Sequence, residues 1–539
     1  MENNNWWKRA VIYQVYPRSF ADSNGDGIGD LPGIISKLDY LKTLGIDAIW
    51  LSPVYRSPQY DNGYDISDYR DVDPLFGTLA DLDRLIKDAK ARGIRIILDL
   101  VLNHTSDEHP WFLSAKESRE SPYHDYYIWR DPAPGEAADG KTADFGAGAW
   151  QFVPELGQSY YYQFSHRQPD LNWANPKVRA ELYDMIRWWT ARGVGGYRLD
   201  VVDHLAKDPF AGYTINGPRL HEYVREMSAA AFPAPLVTVG EAWSATIARA
   251  KQYANPDGSE LSMVFQFEHL LLDKAEGGEK WDLAPLPVNQ LKQVFARWQT
   301  GLHGCGWNSL FWENHDLPRI VSRWGDEGAF REASAKMLAV LLFGMEGTPY
   351  IYEGQELGMT NRHFALEEYQ DVETLDMIRT RRAKGYSDEE LLRSAYGRGR
   401  DNARTPMQWD ESENAGFTTG TPWLPVNENY HEINAAEQIG RTDSVFECYR
   451  KLIQLRKTYP VFEEGTFTLL EPENGALFAY RRETETETLL VICNFTGTEI
   501  ENPLAKDAEG MTLLLGTCGG DQSKTLRPYE ARLYYIGDN

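Results

Sequence analysis

Cysteine is scarce: there are four in 539 residues, at Cys305, Cys448, Cys493 and Cys518, with no Cys-x-x-Cys pair and no metal-ligand spacing. That excludes a disulfide-stapled scaffold and a zinc–thiolate site, and leaves scattered free thiols, mostly buried. Positive charge is also in deficit. Lys and Arg number 55 against 80 Asp and Glu, a formal net charge of −25, which argues against nucleic acid or an anionic membrane as partner. No run of about 18 apolar residues occurs, so no membrane-spanning helix is expected. The opening MENNNWWKRA lacks the apolar stretch of a signal peptide, and a cytoplasmic protein is the expectation. Internal repeats and low-complexity tracts are missing as well.

What is present is an ordinary globular composition, 42% hydrophobic, with 17 Trp and 30 Tyr. Aromatic faces stack on sugar rings, although any single one more often packs a core. Eight short apolar runs recur with helical stretches between them, at residues 11–20, 46–53, 94–104, 195–202, 236–243, 263–269, 308–316 and 348–358. Their near-continuous hydrophobicity suits strands covered on both faces. The segment 79–93 has apolar residues at i, i+3, i+4 spacing and stops on Gly93, a helix with a C-terminal glycine. Eight such units predict a (β/α)8 TIM barrel of the α/β class. The long gap after the third run predicts an inserted domain over residues 105–172, and a second insertion spans 361–420. From about residue 461 short alternating strands predict a C-terminal antiparallel β-domain, read as a β-sandwich. The expected plan is barrel 1–104, insert 105–172, barrel 173–460 and β-domain 461–539.

Three carboxylates each end a strand of their own: Asp200 in GYRLDVVDH, Glu241 in LVTVGEAW and Asp316 in LFWENHDLPR. The top rim of a parallel barrel is where several strands deliver side chains into one cup. Cleaving a glycosidic bond with retention needs one carboxylate as nucleophile and one carboxylic acid as proton donor. Asp22, Asn24, Asp26, Ile28 and Asp30 place oxygen ligands at every second position, with Gly27 at the sharp turn, the beginning of a calcium loop. Gly33 replaces the glutamate that an EF-hand needs twelfth. A structural calcium is expected there, and a metal-free cluster of Asx turns is the rival.

The stretches DLVLNH (99–104), QPDLN (168–172), GYRLDVV (196–202), VGEAW (239–243) and ENHD (313–316) resemble the α-amylase superfamily of retaining glycoside hydrolases. WWKRAVIYQVYPRSFADSNGDGIGDLPGI, DNGYDISDY (61–69) and RDNARTPMQW (400–409) are similar to its oligo-1,6-glucosidase and dextran glucosidase group. The resemblance covers nearly the whole chain. It implies Asp200 as nucleophile, kept ionised by Arg198, and Glu241 as general acid/base, with Trp243 as apolar wall and platform for the leaving sugar. It implies Asp316 on the 2- and 3-hydroxyls of the sugar, with His104 and His315 on the same ring. Asp61, paired with Arg404, would bind the 4-hydroxyl and close the pocket, Tyr64 would stack under the ring, and Phe145 and Phe164 would wall it. Valine at position 201 goes with α-1,6 linkages in relatives. Trp243, Lys280 and Glu373 would shape the leaving-group subsite. An exo-acting α-1,6-glucosidase on small oligosaccharides, with no organic cofactor, is the resulting expectation. The rivals are trehalose-6-phosphate hydrolase, for which Lys280, Arg319 and Arg323 could read a phosphate, sucrose isomerase, an α-1,4-active α-glucosidase, and a catalytically dead binding protein.

Overall fold

A computed structural model describes residues 5–132, 149–233, 235–519 and 524–537. The chain divides into two compact units, one built from Trp50–Ala91 and Arg95–Gln266, the other from Asn5–Ile49, Arg92–Ile94 and Phe267 onward. The eight expected strands are all present: β1 Ile12–Val15, β2 Ala48–Leu51, β3 Arg95–Leu100, β4 Gly196–Leu199, β5 Val237–Glu241, β6 Met263–Phe265, β7 Ser309–Leu310 and β8 Thr348–Tyr352. In the first unit β3, β4, β5 and β6 pair in sequence order, all parallel. In the second, β1 pairs with β8 and β8 with β7, again parallel. Helices separate the strands, among them Leu79–Ala91, Pro176–Ala191, Val288–Leu302 and Arg331–Phe343. Gly93 takes φ +77° just after the first of these, the left-handed stop that its sequence requires. The architecture is the (β/α)8 barrel. Its strands are buried on both faces, which is why they read as unbroken apolar runs.

Residue identity fixes the local register. At Gly196 a Cβ would stand 2.4 Å from Val237 O, so only glycine lets β4 and β5 close up. The insert carries a three-stranded antiparallel sheet, Trp129–Arg130, Gln158–Tyr162 and Ala149–Val153. The C-terminal domain is a five-stranded antiparallel sheet whose strands begin at Thr466, Leu477, Glu487, Thr512 and Ala531, with a two-stranded ribbon of Ile500–Glu501 and Thr525–Leu526. One face buries Leu477, Ala479, Leu490, Ile492 and Tyr534, and Tyr480 Oη on this sheet donates to Leu341 O at 2.7 Å. Among the described residues no helix is long and apolar enough to cross a membrane.

Candidate active site

In the first unit the strand ladder sets the chemistry. Asp99 on β3 lies opposite Arg198 on β4, and Arg198 lies opposite Val239 on β5. Side chains two apart share a face, so Arg198 and Asp200 project together, and the Asp200 amide extends the ladder to Leu100 O at 3.0 Å. The Arg198 guanidinium gathers three carboxylates. Nη1 donates to Asp99 Oδ1 at 2.8 Å and to Asp200 Oδ1 at 2.7 Å, while Nη2 donates to Glu241 Oε2. Trp50 lies under the guanidinium, 5.1 Å away, and donates its indole N–H to Asp99 at 3.1 Å. All three acids and the arginine are buried.

One cation therefore serves three buried acids. Burial pushes the Asp200 carboxyl well above the usual aspartate value; Arg198 pulls it back, and the charges of Glu241 and Asp99 push it up again. Shared three ways, Arg198 offsets only part of the effect of burial on Asp200. Glu241 also accepts from the Trp243 indole at 2.9 Å and the Val201 amide at 3.3 Å. Trp243 is 45% exposed, a large apolar face beside the acid. Val201 sits at φ +36°, ψ 50°, a conformation that a β-branched residue adopts only under strain of roughly 1–3 kcal/mol.

The same unit holds His104, Tyr64, Asp61 and Phe164. His104 is neutral, burial lowering it to about 3. Its Nε2 lies 3.0 Å from Tyr64 O and its Nδ1 3.0 Å from the Asn103 amide, which assigns the proton to Nε2. Tyr64 Oη donates to Asp99 Oδ2 at 2.9 Å, and the Phe164 ring is 5.4 Å from that of His104. Asp61 Oδ2 accepts from Gln168 Nε2 at 3.0 Å. Asp65, fully buried, accepts from Ser57 Oγ, the Tyr60 amide and the Asp61 amide at 2.9–3.0 Å, and burial raises it to about 6. Asp170 forms a β-bridge with His104 and pairs with the buried Lys207 ammonium at 3.1 Å.

The second unit holds His315, Asp316 and Arg404. Asp316 Oδ1 accepts from Arg404 Nη2 at 3.0 Å and Arg400 Nη1 at 3.2 Å. Both arginines also grip Asp371 Oδ1. Burial alone would raise Asp371, but Arg400 and Arg404 hold it down at about 2. His315 Nδ1 lies 2.8 Å from the Gln14 amide, and its Nε2 lies 3.2 Å from Asp316 Oδ2. Phe145 lies outside the described residues. Asp99, Gln168 and Arg400 sit inside the quoted motifs yet drew no role from sequence. Asp371 belongs to no motif, and only folding brings it to Arg400.

The loop at residues 22–30, where the sequence suggests calcium, is in the second unit too. Asp22 Oδ1 accepts from the amides of Asn24 and Gly25, Asn24 Oδ1 from Asp26 N, and Asp26 Oδ1 from Ile28 N, all at 2.8–2.9 Å. Asp30 faces otherwise, accepting from Ser23 and capping the helix Leu31–Ser36 through Gly33 N. Among the described residues no group of three or more His, Cys, Asp or Glu side chains converges as metal ligands. The donors that remain for a cation are the oxygens of Asp22, Asn24, Asp26 and the Ile28 carbonyl, hard ligands that fit calcium in kind.

A (β/α)8 barrel whose strand ends deliver two buried carboxylates to one guanidinium has the make-up of a glycoside hydrolase. The chain belongs to the alpha-amylase family: residues 14–465 match the model of its catalytic domain. It is 49% identical to an oligo-1,6-glucosidase of Halalkalibacterium halodurans, with 100% of each chain covered. A glucan 1,6-alpha-glucosidase of Streptococcus pneumoniae is 53% identical over 92% of each chain. The crystal structure of Bacillus licheniformis trehalose-6-phosphate hydrolase superposes with a TM-score of 0.93 at 45% identity, covering 99% of this chain and 100% of that one.

Proposed function

We propose that this protein is an exo-acting α-1,6-glucosidase that removes single glucose units from the non-reducing ends of isomalto-oligosaccharides with net retention. The observation that carries it is the shared guanidinium. Asp200 and Glu241 bond the two terminal nitrogens of Arg198, so one guanidinium gathers the two carboxylates that a retaining mechanism needs as nucleophile and acid. Asp200 attacks C1 while Glu241 protonates the leaving oxygen; Glu241 then deprotonates the water that hydrolyses the glucosyl-enzyme. Asp316 and His104 are assigned to the hydroxyls of the same sugar, Asp61 and Arg404 to its 4-hydroxyl, and Val201 to linkage selection. Trp243 is assigned to the leaving group.

The relatives named as oligo-1,6-glucosidase and glucan 1,6-alpha-glucosidase support the linkage. The phosphate-reading alternative is disfavoured by the three cations it needs. Lys280 pairs with Glu373 at 2.6 Å, Arg323 with Asp273 through two bonds of 2.7 Å, and Arg319 is fully buried on Glu313 and the Glu353 carbonyl. We further propose a structural calcium on Asp22, Asn24, Asp26 and Ile28, away from the chemistry, with Asp30 in its support. The four free thiols suit a reducing cytoplasm, the compartment we assign.

Initial rates on isomaltose, panose, maltose, sucrose and trehalose-6-phosphate, with product anomers followed by NMR, test the reading. Isomaltose and panose should be preferred and should release α-glucose. Preference for the phosphorylated sugar, or β-glucose as first product, rejects it. In the same assay Val201→Ala should raise the maltose-to-isomaltose ratio, and an unchanged ratio removes Val201 from linkage selection.

A further inference from the structure

Apart from the carboxylate cluster, the first unit carries a cavity of about 740 Å³, within the range of small-molecule sites. It opens between the insert's sheet and the segment that follows β4. Trp129, Gln158, Asn172, Phe210, Tyr213 and Tyr223 line it. Phe210 is 67% exposed and Tyr213 45% exposed, two rings three residues apart on one loop that the fold leaves in water. Phe210 is braced by Trp150, ring centroids 5.5 Å apart, and the loop is tied back by the amides of Phe210 and Ala211 on Asp208 Oδ1 at 3.1 Å. Gln158 is nine-tenths buried, and its Oε1 has no hydrogen-bond partner among the described residues.

The charges say what this cavity can hold. Its two cations are occupied: Lys207 is bound to Asp170 and the Asn103 carbonyl, and Arg219 is held in a fork by Glu222 at 2.7 and 3.0 Å while lying over Tyr223. Among the described residues that line it, no guanidinium or ammonium is left to take a phosphate or carboxylate. Exposed ring faces next to an amide side chain with an unused acceptor match a neutral polyol with apolar C–H faces, which is the chemistry of a sugar ring.

We propose that this cavity is a second saccharide-binding site, which holds a neutral α-glucan chain outside the catalytic centre. The proposal rests on the glucan-hydrolase reading, and the site's function is to keep the enzyme on longer isomalto-oligosaccharides between cleavages. Phe210 and Tyr213 stack on glucosyl units and Gln158 accepts a hydroxyl.

The test is affinity electrophoresis in gels containing dextran, using full-length enzyme whose Asp200 has been covalently blocked by an epoxide-type glucose analogue. The blocked wild type should be retarded by dextran, and Phe210→Ala and Tyr213→Ala should each weaken that binding about tenfold, one stacking contact's worth. Unblocked variants should keep wild-type rates on an aryl α-glucoside, since neither ring belongs to the cluster around Arg198. Absence of retardation in the blocked wild type, or equal retardation of wild type and both variants, overturns the proposal. An unblocked enzyme that still hydrolyses isomaltose in that case leaves the catalytic reading standing, so the two failures are separate.

Discussion

At the scale of single residues, the first unit spends a fully buried carboxylate on a turn. Among the described residues Asp65 makes no ion pair with a guanidinium or ammonium; it accepts from Ser57 Oγ and from the amides of Tyr60 and Asp61. Gln59 and Asn62, at φ +61° and +50°, are bent into the left-handed region on either side. The turn aims Asp61 at Gln168. In Asp65→Asn one acceptor becomes a donor facing an amide, a mismatch that costs about 1–3 kcal/mol when buried. The KM for isomaltose should rise about tenfold, with kcat within about twofold. The penalty should shrink on a substrate lacking the 4-hydroxyl, the group assigned to Asp61. An equal penalty on both substrates would make Asp65 a general structural residue only. Sequence alone singled out His104, Asp200, Glu241 and Asp316 because each ends an apolar run. It passed over Asp65, Asp99 and Asp371, since an acid that serves a turn or shares a cation carries no periodic signal.

At the scale of elements, all eight barrel strands and the five long strands of the C-terminal sheet were legible, because burial on both faces, or alternation on one, writes itself into residue order. The short antiparallel pair Tyr55–Arg56 with Asp68–Val72 was not, since its buried residues, Tyr55, Tyr69 and Val72, are too few among charged neighbours to set a period, and only pairing defines it. The loop at residues 22–30 shows the limit of a motif. Its Asx turns form as the spacing demands, yet Asp30 turns away to cap a helix, and Thr418 from the second insertion reaches Asp22 Oδ2 at 2.5 Å. Against the desolvation of partial burial, that hydroxyl and three amides hold Asp22 below its ordinary value, leaving charged oxygens for a cation. Calcium at about a hundred times its dissociation constant should stabilise the fold by about 2.7 kcal/mol, a rise of a few degrees in Tm over EDTA-treated protein. Asp26→Ala should abolish the difference. Equal melting with calcium and with EDTA would leave the loop as a metal-free turn cluster.

At the scale of the whole molecule, a net charge of −25 disfavours compaction at high pH, and buried acids sharpen that dependence. Glu356, fully buried, takes two hydroxyl donors on one oxygen, Tyr13 at 2.7 Å and Tyr40 at 2.5 Å, so it joins β1, the helix Leu38–Leu44 and the segment after β8. Burial raises its carboxyl from 4.5 to about 7, although both tyrosines favour the charged form. Between those values the folded protein keeps a proton that the unfolded chain has released. Stability therefore falls as pH rises through that window and levels off above it, by roughly 3 kcal/mol for this group. Glu356→Gln keeps an acceptor for both tyrosines and removes the ionisation. Its melting temperature should match wild type near pH 4 and exceed it at pH 8, with a shallower slope between. Parallel pH profiles for variant and wild type would show that Glu356 does not carry that proton. The loss of Tm at every pH would show instead that the two tyrosines need a carboxyl oxygen.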